Sequence, residues 1–265
     1  MTNPLVWLAG SLAIAVVATN ATWLFSRAKR RKSAPADSVN WGVWEPLVWL
    51  IKGLFLLLLP MAGLWAGALS PYWMGLTEID WVESLASGAV AAALGGGLII
   101  FAWLLYRHQH PPRPRAAGQL RSWLAPIDSA LLQWHWAFYR AAVIGGLTLL
   151  TAANGASTGA HTGVEAHLAA DPGYWGAWLG MVLVALEWAL NPFARRVLFR
   201  PQDNQEDAAA AERTVIRMAL AVATTAVFVL ARNFWLCLAC HAMVETAIAL
   251  FLPVPDRLEA SSREQ

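Results

Sequence analysis

The sequence predicts an all-α protein, a polytopic transmembrane helical bundle of about seven spans with its N-terminus outside and its C-terminus cytoplasmic. Three observations carry that expectation. The 265 residues are 58% hydrophobic, above the roughly 45–50% of soluble globular domains, and their mean hydropathy is +0.46. The apolar residues gather into seven stretches, each near the roughly 20 helical residues that cross about 30 Å of hydrocarbon. Basic residues concentrate in alternate connections, which is how orientation is encoded.

The first stretch, about 4–25, is followed by Arg27, Lys29, Arg30, Arg31 and Lys32. Charge after the apolar run, not before it, is the reverse of a cleavable signal. Residues 33–40 read as a short linker and 41–52 as an amphipathic segment at the interface, leading into the second span at about 47–69. The third, about 86–106, precedes Arg107, Arg113, Arg115 and Arg121. There His110-Pro-Pro-Arg-Pro-Arg115 forms a stiff solvated loop, because proline lacks the donor a helix needs.

That loop divides the chain into a tryptophan-rich front of three spans (1–110), a connection (111–126), a four-span core (127–252) and a cytoplasmic tail (253–265). The core spans are expected at about 127–152, 174–193, 214–231 and 233–252, with Arg195, Arg196 and Arg200 after the fifth and an acidic loop at 201–213. Connections 70–85 and 153–173 contain no Lys or Arg and carry Glu78, Asp80, Glu83, Glu165 and Asp171. Three basic loops therefore agree on one side, the cytoplasmic face of the cell (inner) membrane. The net charge of +2 is a topology signal; no nucleic-acid motif accompanies it. Only Arg232 and Asn233 separate the last two spans, which must form a tight antiparallel hairpin.

Of the sixteen tryptophans, Trp41, Trp44, Trp49, Trp73, Trp81, Trp123, Trp175, Trp178 and Trp235 fall near expected span ends, where indole suits the headgroup level. Trp134, Trp136 and Trp188 lie deeper, beside the polar residues that follow.

Ionisable residues in a span are costly, roughly 2.5–3.5 kcal/mol on insertion scales, and mark sites by default. All the deep ones expected belong to the core: His135 and Arg140 in the fourth span, Glu187 in the fifth, His241 and Glu245 in the seventh. At 1.5 Å per residue, His135, Glu187 and Glu245 lie roughly 9–12 Å from the cytoplasmic ends and Arg140 and His241 roughly 17–20 Å. Two layers follow, with an Arg140–Glu245 ion pair joining them. Cys237, His241 and Glu245 share one helix face at i, i+4, i+8, and Gly176, Gly180, Leu183 and Glu187 share another.

Three sequence features form a pattern. Asn233-Phe-Trp precedes His241-x-x-x-Glu245; His135-Trp136-x-x-x-Arg140 carries Tyr139 before the arginine; Leu183-x-x-x-Glu187 lies between them. Over roughly 127–250 the chain resembles the CPBP family, the intramembrane proteases related to CAAX prenyl endopeptidases and bacteriocin-processing enzymes. That family carries Glu-Glu-x-x-x-Arg, Phe-x-x-x-His and His-x-x-x-Asn/Asp motifs. The resemblance implies that His135, Arg140, Glu187, His241 and Glu245 occupy the catalytic positions. It also implies a degenerate member. The paired glutamates, which act as general base on the attacking water, are His135 and Trp136 here, and Glu245 replaces the asparagine.

Several readings follow. One is a non-catalytic binding, scaffold or accessory subunit of a larger membrane complex, whose partners are the lipid bilayer and other membrane proteins. Another is an active peptidase with a rearranged His/Glu site. A third is a pigment- or haem-carrying subunit, with His135 or His241 as axial ligand. Cys237-Leu-Ala-Cys240-His241 matches the c-type haem attachment pattern, although its thiols fall within an apolar helix. His135, Glu187, His241 and Glu245 include zinc-ligand types but lack a compact metal motif, so no metal site is expected. Among haem, a chlorophyll-type pigment and zinc the sequence favours none. His108, His110, His161 and His167 fall in loops and read as solvated.

Overall fold

A computed structural model describes residues 3–32, 44–109, 125–158, 171–199 and 205–250. Among them the regular structure is entirely helical. The helices are α1 (Pro4–Lys32), α2 (Trp44–Trp65), α3 (Trp81–Gln109), α4 (Ala125–Thr158), α5 (Pro172–Leu190), α6 (Pro192–Phe199), α7 (Gln205–Ala231) and α8 (Phe234–Leu250).

Five are long and apolar enough to cross a bilayer, over Pro4–Leu24, Trp81–Gln109, Pro126–Ala153, Pro172–Leu190 and Ala210–Ala231. The second and seventh expected spans correspond to shorter apolar helices, Leu50–Trp65 and Phe234–Leu250. The second stops before the expected residue 69 for a local reason. Gly67 adopts φ +66°, the Ala68 N–H donates to the Gly63 carbonyl and the Gly67 N–H to that of Leu64. This is the Schellman arrangement that ends a helix.

Two other boundaries differ from expectation. The segment read as interfacial is continuous with α2 from Trp44, whose long apolar run extends the helix backwards. The stretch read as an acidic loop is helical from Gln205, because four consecutive alanines at 208–211 are strong helix formers. Trp41, Trp123, His110, His161, His167, Arg113, Arg115, Arg121, Arg200 and Glu165 lie outside the described residues, as does the 253–265 tail.

Helix α4 is the axle of the bundle. Every residue from His135 to Gly146 is buried, as expected of a helix surrounded by others. α5 lies against it at backbone contact: a Cβ added to Gly180 would sit 2.8 Å from the Arg140 Cα, and one on Gly176 2.8 Å from the Ile144 Cα. Glycine is required there because small residues let helices meet closely.

The core continues across residue 110. α3 packs on α7 and α8, where a Cβ on Gly88 would meet Ala231 at 2.6 Å and one on Gly96 would meet Val244 at 3.0 Å. Leu8, Leu56, Met74 and Trp103 share one apolar cluster with Leu132, Phe138, Leu220 and Val244.

The α7–α8 hairpin is as tight as its two-residue link demands. Arg232 takes φ +46°, and Asn233 caps α8 by accepting the Trp235 N–H at 2.9 Å and the Leu236 N–H at 3.3 Å. The Asn233 amide also donates to Ser84 Oγ at 3.1 Å, and the Phe234 N–H donates to the Gly75 carbonyl at 2.9 Å. One buried residue thus ties the hairpin to α3.

Candidate functional site

The expected site residues fall into two clusters, one around His135 and Glu187 and one around Glu245, with Arg140 apart from both; a further polar cluster joins Arg107 and Trp103 to Glu212. In the first, His135 Nε2 lies 3.1 Å from Glu187 Oε2. Tyr139 lies close to Glu187, and Ser11 Oγ donates to the Tyr139 hydroxyl at 3.5 Å. The His135 ring is boxed by Phe55 at 5.4 Å and Tyr139 at 4.6 Å between centroids. His135 and Glu187, expected in one layer, do meet.

The second cluster runs through four helices. Lys52 Nζ donates to Asp128 Oδ1 at 3.2 Å; Arg217 pairs with Asp128 and its Nε donates to Glu245 Oε1 at 3.0 Å. His241 Nε2 stands 3.5 Å from the same oxygen, an ion-pair separation without hydrogen-bond alignment. Two formal cations therefore face two carboxylates. Asp128 is compensated chiefly by Arg217, with the more exposed Lys52 adding a smaller share.

The expected Arg140–Glu245 ion pair is not formed. α4 and α8 run antiparallel, with Trp136 against His241. Arg140 is therefore one turn further towards the start of α8 and Glu245 one turn further towards its end. Two turns, about 11 Å, separate the two levels. The Glu245 partner is Arg217, in the first half of α7. Arg140 is 1% exposed and its guanidinium carbon sits 4.7 Å from the Phe228 ring centroid. A desolvated cation–π contact of this kind contributes about 2 kcal/mol.

Sequence reasoning passed over Arg217. A signal was present: Arg217 lies 15 residues before Arg232 and Glu245 12 after Asn233, so an antiparallel hairpin puts them within a turn of one level, in reach of a long arginine side chain.

The space between Trp136 and His241 is closed. Trp136 stacks on His241 at 5.0 Å and 16°, and Trp188 packs edge-on against the other part of Trp136 at 6.0 Å. His241 is fully buried. Neither indole can accept a proton.

The grouping of His135, Glu187, His241 and Glu245 as one ligand set does not occur, since they form two separate pairs. Among the described residues no three His, Cys, Asp or Glu side chains converge as a metal site. The two thiols of the C-x-x-C-H segment diverge: Cys237 Sγ donates to the Thr224 carbonyl at 3.2 Å and Cys240 Sγ to that of Ala92 at 3.7 Å. Both cysteines are buried. No protein-family model, curated protein or solved structure matches this chain.

Proposed function

We propose that the chain is a multi-pass protein of the cell (inner) membrane, a degenerate relative of the CPBP intramembrane proteases that binds a partner and does not cleave one. In this reading α2 and α8 cross the bilayer with the five longer helices, making seven spans. The three basic loops place the N-terminus outside and the C-terminus in the cytoplasm.

One observation carries the non-catalytic reading: Trp136 fills the space over His241 where the family pattern requires a carboxylate. A general base must stand within about 2.6–3.2 Å of the water it activates; the indole stacked on the imidazole cannot serve, and the one carboxylate beside it among the described residues, Glu245, is taken up by Arg217. Support also comes from the carboxylates. Glu245 is ion-paired with Arg217 and Glu187 is in hydrogen-bond contact with His135, so both are engaged within the bundle.

A membrane protein without turnover acts through what it holds. Helix α3 offers the lipid-facing side for this, with Ala89, Ala93 and Gly97 exposed one turn apart and open space beside Gly97. Small residues at that spacing let a second helix approach.

Native mass measurement after extraction in mild detergent tests the reading. The expected species is heavier than the 28.8 kDa chain and contains a second polypeptide at fixed stoichiometry. A homogeneous 28.8 kDa protein that stays alone at every detergent concentration contradicts it.

A further inference from the structure

Helix α6 is short and amphipathic and follows α5 at the end of a span. Asn191 is extended between them, at φ −77° and ψ 115°, and its side chain accepts the Phe193 N–H at 2.9 Å. α6 is therefore a separately capped helix and not a continuation of the span, with Pro192 in the first-turn position that suits proline. Phe193 and Ala194 are half-buried, whereas Arg195 and Arg196 are exposed. A helix so divided, at the end of a membrane span, lies in the headgroup layer with its cations turned to the phosphates.

α6 also packs against α1, and the bundle fixes where. Ser11 of α1 meets Tyr139 and Gly180 of α5 abuts Arg140, so these two residues share a level. Both helices run antiparallel to α4, since Gly146 faces Leu5 and Gly176 faces Ile144. Pro192 is then level with about residue 23 of α1, one turn before Arg27. From there α1 carries five Lys or Arg between residues 27 and 32, and neither α1 nor α6 contains an Asp or Glu. α7, which packs on α6 as well, brings Glu206 and Asp207 in its first turn and Glu212, already engaged by Arg107. The cations outnumber these acids. We propose that the end of α1 and helix α6 together bind the headgroup of an anionic phospholipid of the adjoining leaflet. Clusters of about 4–8 Lys and Arg directly beyond a span attract such headgroups, and α6 adds a folded surface that holds two more guanidiniums beside them.

The site rests on α1 and α5 spanning the bilayer and is indifferent to whether the chain cleaves or binds a partner. It is tested on the full-length protein in mild detergent by adding phosphatidylglycerol, phosphatidylcholine of identical acyl chains, or inorganic phosphate. A ligand that binds only the folded state raises the melting temperature saturably, and native mass measurement counts the lipid retained. Phosphatidylglycerol is expected to do both; phosphatidylcholine and inorganic phosphate are not. Arg195→Gln combined with Arg196→Gln should weaken phosphatidylglycerol binding roughly tenfold or more, whereas Arg113→Gln with Arg115→Gln, in another basic loop, should leave it unchanged. A photoreactive phosphatidylglycerol should crosslink within residues 23–32 or 192–199, a readout that stands if the first double variant fails to fold. Equal binding of the two lipids, the same shift from inorganic phosphate, equal weakening by the two double variants, or crosslinks confined to other segments overturns the proposal.

Discussion

Replacing Arg217 with methionine removes the cation that joins three helices. Arg217 pairs with Asp128 on α4 and, through Nε at 3.0 Å, with Glu245 on α8. The two carboxylate side chains are only 11% and 14% exposed, so both lose compensation where water cannot supply it. Removing one partner of a buried pair costs about 3–5 kcal/mol. Two residual contacts trim that figure, Lys52 at 3.2 Å from Asp128 and His241 at 3.5 Å from Glu245. The Lys52 side chain is 43% exposed, so its share is small. The expected loss is therefore about 3 kcal/mol, roughly a hundredfold in the folded-to-unfolded ratio. Unfolding in mixed mild-detergent and dodecyl sulfate micelles, followed through the sixteen tryptophans, measures it. Glu245→Gln in the same background should recover part of the loss, because neighbours in one network couple by about 0.5–3 kcal/mol. A loss below about 0.5 kcal/mol, the scatter of ordinary surface changes, or strict additivity with Glu245→Gln refutes the network.

Other outcomes follow from the same contacts. Glu187→Gln keeps a hydrogen-bonding group for His135 and should cost about 1 kcal/mol, whereas Glu187→Leu strands it and should cost about twice that or more; equal stabilities of the two variants would contradict the cluster. Gly180→Leu would drive a side chain into the Arg140 backbone and should destabilise by about 1–3 kcal/mol or more, read in the same assay; an unaffected protein would show that α4 and α5 are further apart. Single cysteines placed in the 33–40 and 111–124 connections should react with an impermeant maleimide only from the cytoplasmic side, and one in 159–170 only from outside; the opposite pattern would invert the topology. The absorption spectrum of the pure protein should show indole bands and no visible bands, and a Soret or long-wavelength band would support the cofactor readings instead.

Helical class and most span positions were legible in composition and hydropathy, because each apolar stretch must satisfy its own backbone hydrogen bonds in lipid. The His135–Glu187 contact was legible too, since equal depth on neighbouring spans put them together. What depth counting lacks is direction around the helix axis and the tilt of one helix against another. Arg140 was thus assigned to Glu245, although Trp136 fixes the α4–α8 level at His241 and Arg140 lies a turn to the other side. Arg217 was hidden differently. It sits near the start of the sixth span, where a cation reads as boundary, and only the hairpin geometry shows that it faces Glu245. The end of α2 was written in Gly67, whose positive φ stops the helix inside an unbroken apolar run. The two cysteines matched a haem pattern in sequence, but on a helix their thiols point to different neighbours, α7 and α3.

The claim on which the rest depends is that the filled space over His241 leaves no hydrolytic centre. It is tested most directly by incubating the pure protein in lipid nanodiscs with membrane-spanning and lipid-modified peptides, and reading cleavage by mass spectrometry beside Glu187→Gln and Glu245→Gln. No new termini are expected from any of the three. Specific cleavage by the native protein that either substitution abolishes would contradict the account.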